Sequence, residues 1–334
     1  MSYRAALIGC GKIGSTFADD PLVQGVYTHA GAYAACPQTR LVGVCDADPD
    51  RARACAARWN VEHAYTDVLA LLEEQRPELV SICVPNFAHA DVLRAVLQAP
   101  SVRGVLMEKP LALDQHQARE LVALADEKKI ALAVNYSRRF SKSHAQVKDR
   151  IARGELGQVQ SVSGFYTKGL LHNGTHWIDL VRWFIGEVEL VQGFALRREE
   201  EGDGQVGARL VFENGAEAFL QPLDARAFSL FEMDIVGTLG RIRLVESGHR
   251  IEATHVVPSP FYTGYETLGN ATEEKGDLAN TLLFAVEDLV ACVASKRAPV
   301  CSGTDGLRAL QIACALFKSA REKRPIGTPE IYGV

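Results

Sequence analysis

No apolar run in this 334-residue chain comes near the ~20 residues that a membrane-spanning helix needs, so no membrane span is expected. The N-terminus gives no sign of a signal peptide: after Arg4 the apolar run Ala5 to Ile8 is broken at once by glycines. Basic runs are missing too. The formal net charge is -5 with a sequence pI near 6.0, which argues against a nucleic-acid partner. There is no CxxC pair. The eight cysteines sit in apolar settings such as "LVGVCD", "LVSICVP", "LVACVA" and "IACALF", where a free thiol behaves as a small hydrophobe. With no signal peptide, this implies a reducing cytoplasm and no disulfides.

What is present is ordinary for a globular protein: 47% hydrophobic and 23% charged residues, in a length that favours two domains. From Tyr3 to about Asn135 short apolar runs ("RAALIG", "TRLVGVCD", "ELVSICVP", "VRGVLMEKP", "IALAVNY") alternate with amphipathic stretches. The latter are "DRARACAARW", "DVLALLEEQ", "HADVLRAVLQ" and "DQHQARELVALADEKK". Alternating strands and helices imply right-handed crossovers and a parallel sheet with helices on both faces. The fold class read here is α/β, with an N-terminal parallel-sheet domain over 1–135 and a second domain over 136–334.

The first strand ends in Gly9-Cys10-Gly11-Lys12-Ile13-Gly14, a GxGxxG between a strand and a helical stretch. Gly9 suits a tight turn, Gly11 the approach of a pyrophosphate, and Gly14 close helix–strand packing. The second strand ends in Asp46, placed to accept bonds from the adenosine ribose and to repel a 2′-phosphate. NAD is therefore expected over NADP, although Arg51 could soften that preference by swinging toward the ribose. Asp46 follows Gly14 by about thirty residues rather than ~20, which the insertion "ADDPLVQGVYTH" explains. That insertion, with Tyr27 and His29, is expected either as a lid over the site or as surface elaboration.

Two stretches at later strand ends, "VPNFAH" (Val84 to His89) and "MEKP" (Met107 to Pro110), join the glycine loop in a pattern that resembles the glucose–fructose oxidoreductase / inositol dehydrogenase (Gfo/Idh/MocA) family. Downstream, "NYSRRF", "THWIDLVRWFIG", "VGTLGRIRL" and the closing stretch 291–320 follow in the family's order. The resemblance implies a Rossmann domain plus a C-terminal α+β domain with an open, mainly antiparallel sheet. Strand-like stretches 158–167, 188–198, 206–221 and 227–256 agree with this, with "REEEGDGQVG" and "ENGAEA" as turns. It also implies a homodimer or homotetramer through that sheet and a small sugar-like substrate. Cofactor contacts are implied at Pro85, Asn86, His89, Glu108 and Lys109, beside Gly9, Gly11, Lys12, Ile13, Gly14 and Asp46.

The same resemblance assigns the chemistry. Lys109 would hold the reacting oxygen and stabilise developing alkoxide, its pKa lowered by burial near the nicotinamide. His176, in the first turn of a helix starting near Asn173–Thr175, would be the general base, and Asp179 would orient it or anchor the substrate. His172 stands where the family has an aspartate. It is read either as a functional substitute, which would favour an anionic substrate, or as a structural histidine. A metal site is not favoured, because "HNGTH" lacks the glutamate of HExxH and no third ligand is evident. Tyr136, Arg139, Tyr166, Lys168 and Asn173 are the substrate-binding candidates. The expected activity is NAD-dependent hydride transfer at a secondary carbinol of a sugar, cyclitol or nucleotide-linked sugar. The alternatives are a glycosidase with transient NAD redox, an oxidoreductase passing hydride between two sugars, and a non-catalytic NAD(H) sensor.

Overall fold

The computed structural model describes residues 2–197 and 203–333, which form two compact units. The first comprises Met1–Phe140 and Ala279–Leu307, the second Ser141–Leu278 and Arg308–Val334. Residues 136–140 and 279–307, expected in the second domain, fall with the first unit. Residues 279–307 return to the first unit because their helix is apolar on the side it buries there.

In the first unit, β1 (Tyr3–Ile8), β2 (Thr39–Cys45), β3 (Ala64–Tyr65), β4 (Leu79–Ile82), β5 (Gly104–Met107) and β6 (Ala131–Val134) form one parallel sheet in the order β3-β2-β1-β4-β5-β6. This is the doubly wound order in which ligands bind outside the carboxyl ends of the strands where the order reverses, here between β1 and β4. The helices are α1 (His29–Ala35), α2 (Pro49–Trp59), α3 (Val68–Gln75), α4 (His89–Gln98) and α5 (Gln115–Lys128). Asp48, Asp67 and Asp114 cap α2, α3 and α5 by accepting backbone N–H bonds. β4 and β5 are buried along their whole length, as strands covered on both faces must be.

The second unit holds α6 (Lys142–Ala152), β7 (Val159–Tyr166), a π-helical turn Leu170–Gly174, α7 (Thr175–Ile185), β8 (Val188–Arg197), β9 (Gln205–Phe212), β10 (Glu217–Pro222), β11 (Phe231–Gly237), β12 (Gly240–Val245), β13 (Arg250–Pro258), β14 (Glu266–Leu268) and β15 (Thr272–Lys275). Then α8 (Thr281–Ser295) lies in the first unit, α9 (Gly303–Glu322) leads out of it, and β16 (Ile326–Gly327) and α10 (Thr328–Tyr332) finish the second. Its sheet is mixed. β7 and β10 pair in parallel, and the other pairings are antiparallel. Of the expected turn "REEEGDGQVG", residues 198–202 lie outside the described residues, and its end is already strand β9.

Alternation sorts this sheet into two faces. Ala208, Leu220, Val162, Met233 and Ile242 are buried on one. The partners Arg209, Phe219, Ser163, Asp234 and Arg243 line up across β9, β10, β7, β11 and β12 on the other. There Arg209 pairs with Glu217 at 2.5 Å, Arg241 with Asp234 at 2.5 Å and Arg243 with Glu252 at 2.8 Å.

The stretch Leu278–Ser295 has the length and mean hydropathy, 1.6, of a membrane span. It packs as a core helix of the first unit instead, α8 lying against α1, β5 and β6. All eight cysteines are free thiols, seven of them buried.

Candidate active site

The three glycines of the loop are held by three different constraints. Gly9 has φ +98, and a Cβ there would lie 2.4 Å from the Cys83 carbonyl carbon, so only glycine lets the end of β1 pass the end of β4. A Cβ on Gly14 would lie 2.1 Å from the Gly9 carbonyl oxygen. A Cβ on Gly11 would meet nothing within 4 Å. Packing accounts for Gly9 and Gly14, whereas Gly11 borders open space from which a ligand can reach the backbone. The N–H groups of Gly11, Lys12, Ile13 and Gly14 find no backbone acceptor among the described residues, which leaves a cradle of donors for phosphate oxygens.

A helix is expected to run on from this loop, and the structure corrects that. Ser15 and Thr16 donate to the Gly11 carbonyl and Phe17 to that of Lys12, which closes one turn. The chain then leaves, and α1 begins only at His29. Yet His29 N donates to Ile13 O at 3.1 Å and Ala30 N to Gly14 O at 3.0 Å. These are the bonds that the next residues of an unbroken helix would make, so the insertion is looped out of a helix that resumes in register. The loop is no free lid. Val26 N donates to Ala279 O at 2.8 Å, Gly25 lies against Ala279, and the Tyr27 ring lies 6.0 Å from that of Phe17. Lys12 Nζ sits 4.8 Å above the Phe17 ring.

At the end of β2, Asp46 Oδ2 accepts from Cys10 N at 2.8 Å, which ties it to the glycine loop. Its Oδ1 accepts from Asp48 N at 2.9 Å and lies 3.3 Å from Arg51 Nε. The carboxylate is one-tenth exposed and the arginine more than half. Arg51 is therefore already beside the position a 2′-phosphate would take.

The ends of β4, β5 and β6 carry the other half of the site. Pro85, Asn86 and Phe87 stand exposed on a short turn after β4. Phe87, 78% exposed, is an apolar ring at a ligand-binding strand end and is missing from the sequence-derived set. His89 is corrected: it is buried, its Nδ1 is 2.6 Å from Pro110 O and its Nε2 is 2.9 Å from Val84 O. The ring joins two loops of the protein and offers nothing to a ligand. Burial pulls its pKa down, outweighing both carbonyls and Glu108. Glu108 Oε1 takes Asn135 Nδ2 at 2.6 Å and His29 Nε2 at 3.0 Å. Burial pushes its carboxyl up, but His29, the Asn135 amide and the Lys109 charge together hold it below the ordinary carboxylate range. Lys109 follows, half-buried, with a cis peptide to Pro110.

Tyr136 is buried beyond β6. Arg139 is buried as well and pairs with Asp305 at 3.1 Å, so the structure assigns it to the first unit's core and not to a substrate.

In the second unit the helix that carries His176 starts earlier than expected. The π-helical turn runs directly into α7, and neither Asn173 nor Thr175 is its N-cap; Thr175 Oγ1 donates back to Leu171 O at 2.8 Å. The cap comes from elsewhere in the chain. Asp203 accepts from Leu171 N at 3.0 Å and from His172 N at 2.7 Å. Trp177, fully buried, donates from its indole to Glu232 O at 3.0 Å, and Gly164 leaves room for that ring on β7. His176 is thus set by the residue after it.

His172 is exposed, His176 and Asn173 are half-buried, and Asp179 is buried. Lys168 is exposed in a left-handed conformation, φ 67. Tyr166 is corrected. Its hydroxyl donates to Val206 O at 3.0 Å and accepts from Val206 N at 2.9 Å, with no exposed surface, so it braces β9. Among the described residues no three His, Cys, Asp or Glu side chains form a metal-binding group.

A glycine cradle with unused N–H donors, a carboxylate at the end of β2 and a lysine at the end of β5 define a dinucleotide-binding oxidoreductase domain. Sequence profiles agree. Residues 3–136 match "Oxidoreductase family, NAD-binding Rossmann fold" and residues 148–328 match "Oxidoreductase family, C-terminal alpha/beta domain". The chain belongs to the Gfo/Idh/MocA family of oxidoreductases, and NAD is its cofactor. It is 25% identical to the myo-inositol 2-dehydrogenase of Thermotoga maritima, covering 99% of this chain and 100% of that one. Levoglucosan dehydrogenase in complex with NADH and levoglucosan superposes with a TM-score of 0.85 at 20% identity, over 98% of this chain and 100% of that one. The WlbA dehydrogenase from Bordetella pertussis, in complex with NADH and UDP-GlcNAcA, superposes at 0.79 with 22% identity, over 98% and 99%.

Proposed function

We propose that this protein oxidises a secondary carbinol of a sugar or cyclitol, or reduces the matching ketone, with NAD. Lys109 carries the proposal. It stands at the carboxyl end of β5, next to the strand-order reversal, and is held there by buried neighbours on both sides. Bound NAD supplies the hydride acceptor. The protein must hold the reacting oxygen and move its proton. The Lys109 ammonium donates to that oxygen and stabilises the alkoxide as charge develops. His176, at the start of α7, takes the hydroxyl proton, with Asp179 one turn on to orient it. Lys168, Asn173 and His172 remain candidates for substrate hydroxyls.

The substrate class rests on the relatives, whose names include a myo-inositol dehydrogenase and a levoglucosan dehydrogenase. His172 does not make this turn more favourable to an anion, because Asp203 puts a carboxylate on the same turn. A neutral polyol is the better reading. The protein is read as cytoplasmic, with reduced thiols, and as a homodimer or homotetramer through the sheet face that carries Phe219 and the Arg–carboxylate pairs.

A screen of sugars, cyclitols and nucleotide sugars for absorbance at the NADH band is the direct test. Stoichiometric NADH release identifies a dehydrogenase; without net NADH, a hydrolysed sugar identifies the glycosidase, and one oxidised plus one reduced sugar identifies hydride exchange between two sugars. On a confirmed substrate, Lys109→Ala should leave NAD affinity nearly intact and lower turnover by about 10²-fold or more. Near wild-type turnover would remove Lys109 from the mechanism.

A further inference from the structure

Behind Lys109 lies a line of buried polar groups. Tyr33, Ser81 and His29 are each at most 1% exposed. Ser81 Oγ is 3.0 Å from Tyr33 Oη and 2.9 Å from His29 Nδ1. His29 Nε2 meets Glu108 Oε1 at 3.0 Å, and the same oxygen accepts from Asn135 Nδ2 at 2.6 Å. The ionised carboxylate only accepts, so Nε2 carries a proton and the Asn135 amide presents its NH2 to Glu108. That fixes the other end of the amide. Asn135 Oδ1 is buried and has no hydrogen-bond partner among the described residues, at the carboxyl end of β6.

Each link is costly to leave unmade, because the groups are out of water. Four different segments supply them, and the link from α1 exists only because that helix resumes in register after the insertion. The line ends at Tyr33, inside the protein, so it carries no proton to solvent. A structure that reaches the residue before Lys109 and stops acts by holding.

Resting on the role given to Lys109 above, we infer that His29 is a positioning residue: through Glu108 it holds Lys109 in place and turns the Asn135 carboxamide so that Oδ1 accepts a hydrogen bond from the bound ligand. The donors within that class are the N–H2 of the nicotinamide carboxamide and a substrate hydroxyl. His29 also sets how much of the Glu108 charge reaches Lys109. Two donors on one carboxylate oxygen spread that charge. With one removed, the carboxylate attracts the ammonium more strongly and holds its proton to higher pH.

The test compares His29→Phe, which keeps the ring and removes the donor, with His29→Gln, which keeps a donor on a similar reach. The pH midpoint of Lys109 modification by an amine-acylating reagent, followed by peptide mass mapping without cofactor, should rise in His29→Phe and stay near wild type in His29→Gln. With a confirmed substrate, His29→Phe should lower kcat by about 10-fold or more with KM changed less than about threefold, and His29→Gln should restore most of it. Asn135→Leu should weaken NADH binding, read by its fluorescence, or raise KM, by about tenfold. If His29→Phe is poorly folded, His29→Met replaces it, since it too fills the buried site without the donor to Glu108. An unshifted Lys109 midpoint together with unchanged kcat in a folded donor-less variant overturns the inference. If Lys109→Ala itself keeps full turnover, it is the functional reading that fails, and the modification midpoint still decides the role of His29.

Discussion

The two units place their candidate site residues by opposite means. In the first, the groups at the strand ends are fixed by the loop they stand in: glycine conformation and close packing for the phosphate cradle, flanking bonds for Lys109. In the second, the turn bearing His172 and the start of α7 bearing His176 depend on partners far along the chain, Asp203 on the first N–H groups of the turn and Glu232 on Trp177. The first kind of site tolerates change away from the motif except at the few buried residues bonded to it, His29 and Asn135 on Glu108. The second is exposed to change at residues that no motif marks.

The largest expected effect lies in the cradle. Gly9→Ala adds a methyl group 2.4 Å from backbone at φ +98, and should cost on the order of 3 kcal/mol or more, read as loss of soluble protein or a large fall in Tm. Gly11→Ala adds one in open space, so Tm without cofactor should stay near wild type while NAD affinity falls at least about tenfold. Equal losses of stability in the two variants would erase the distinction between a packing glycine and a ligand glycine.

Asp203→Ala tests the other mode. It removes both acceptors from the turn that leads into α7 and should cost about 1 kcal/mol, or about 2–4 °C in Tm. Turnover should fall further than that loss alone explains, because the turn runs directly into the first residues of α7, where His176 stands. An unchanged Tm would mean that the turn holds itself.

A smaller effect is expected at the adenine end. Asp46→Ser removes the carboxylate and leaves Arg51 beside the ribose position, so calorimetric titration should show the preference for NAD over NADP narrowing by about tenfold. A wild-type protein that binds NADP more tightly would overturn the role of Asp46.

The smallest expected effect is on pH dependence. The pKa of His89 is lowered in the fold, so below about pH 6.5 the unfolded chain binds the extra proton first. Stability from this group is complete above that pH and is lost as pH falls toward the folded value. His89→Asn should flatten the fall of Tm between about pH 6.5 and 5. A fall as steep as in wild type would show that His89 does not cause it; the contribution of Glu108 is lost only lower, as pH falls below about 4.5.

By itself the sequence determined the wound parallel sheet, the glycine loop, the carboxylate after β2 and the lysine after β5. Those follow from periodicity and from residue types that only a few backbone conformations accept. The tertiary structure decided which polar side chains near the site turn outward. His89, Tyr166 and Arg139 are as polar and as close to strand ends as Asn86 or Lys168, but each finds a partner in the interior, at Pro110, Val206 and Asp305. His29 shows the same limit from the other side. In the sequence it closes an insertion, and in the fold it reaches Glu108, 79 residues away. A buried hydrogen bond is set by which segments meet, and no local pattern records that meeting.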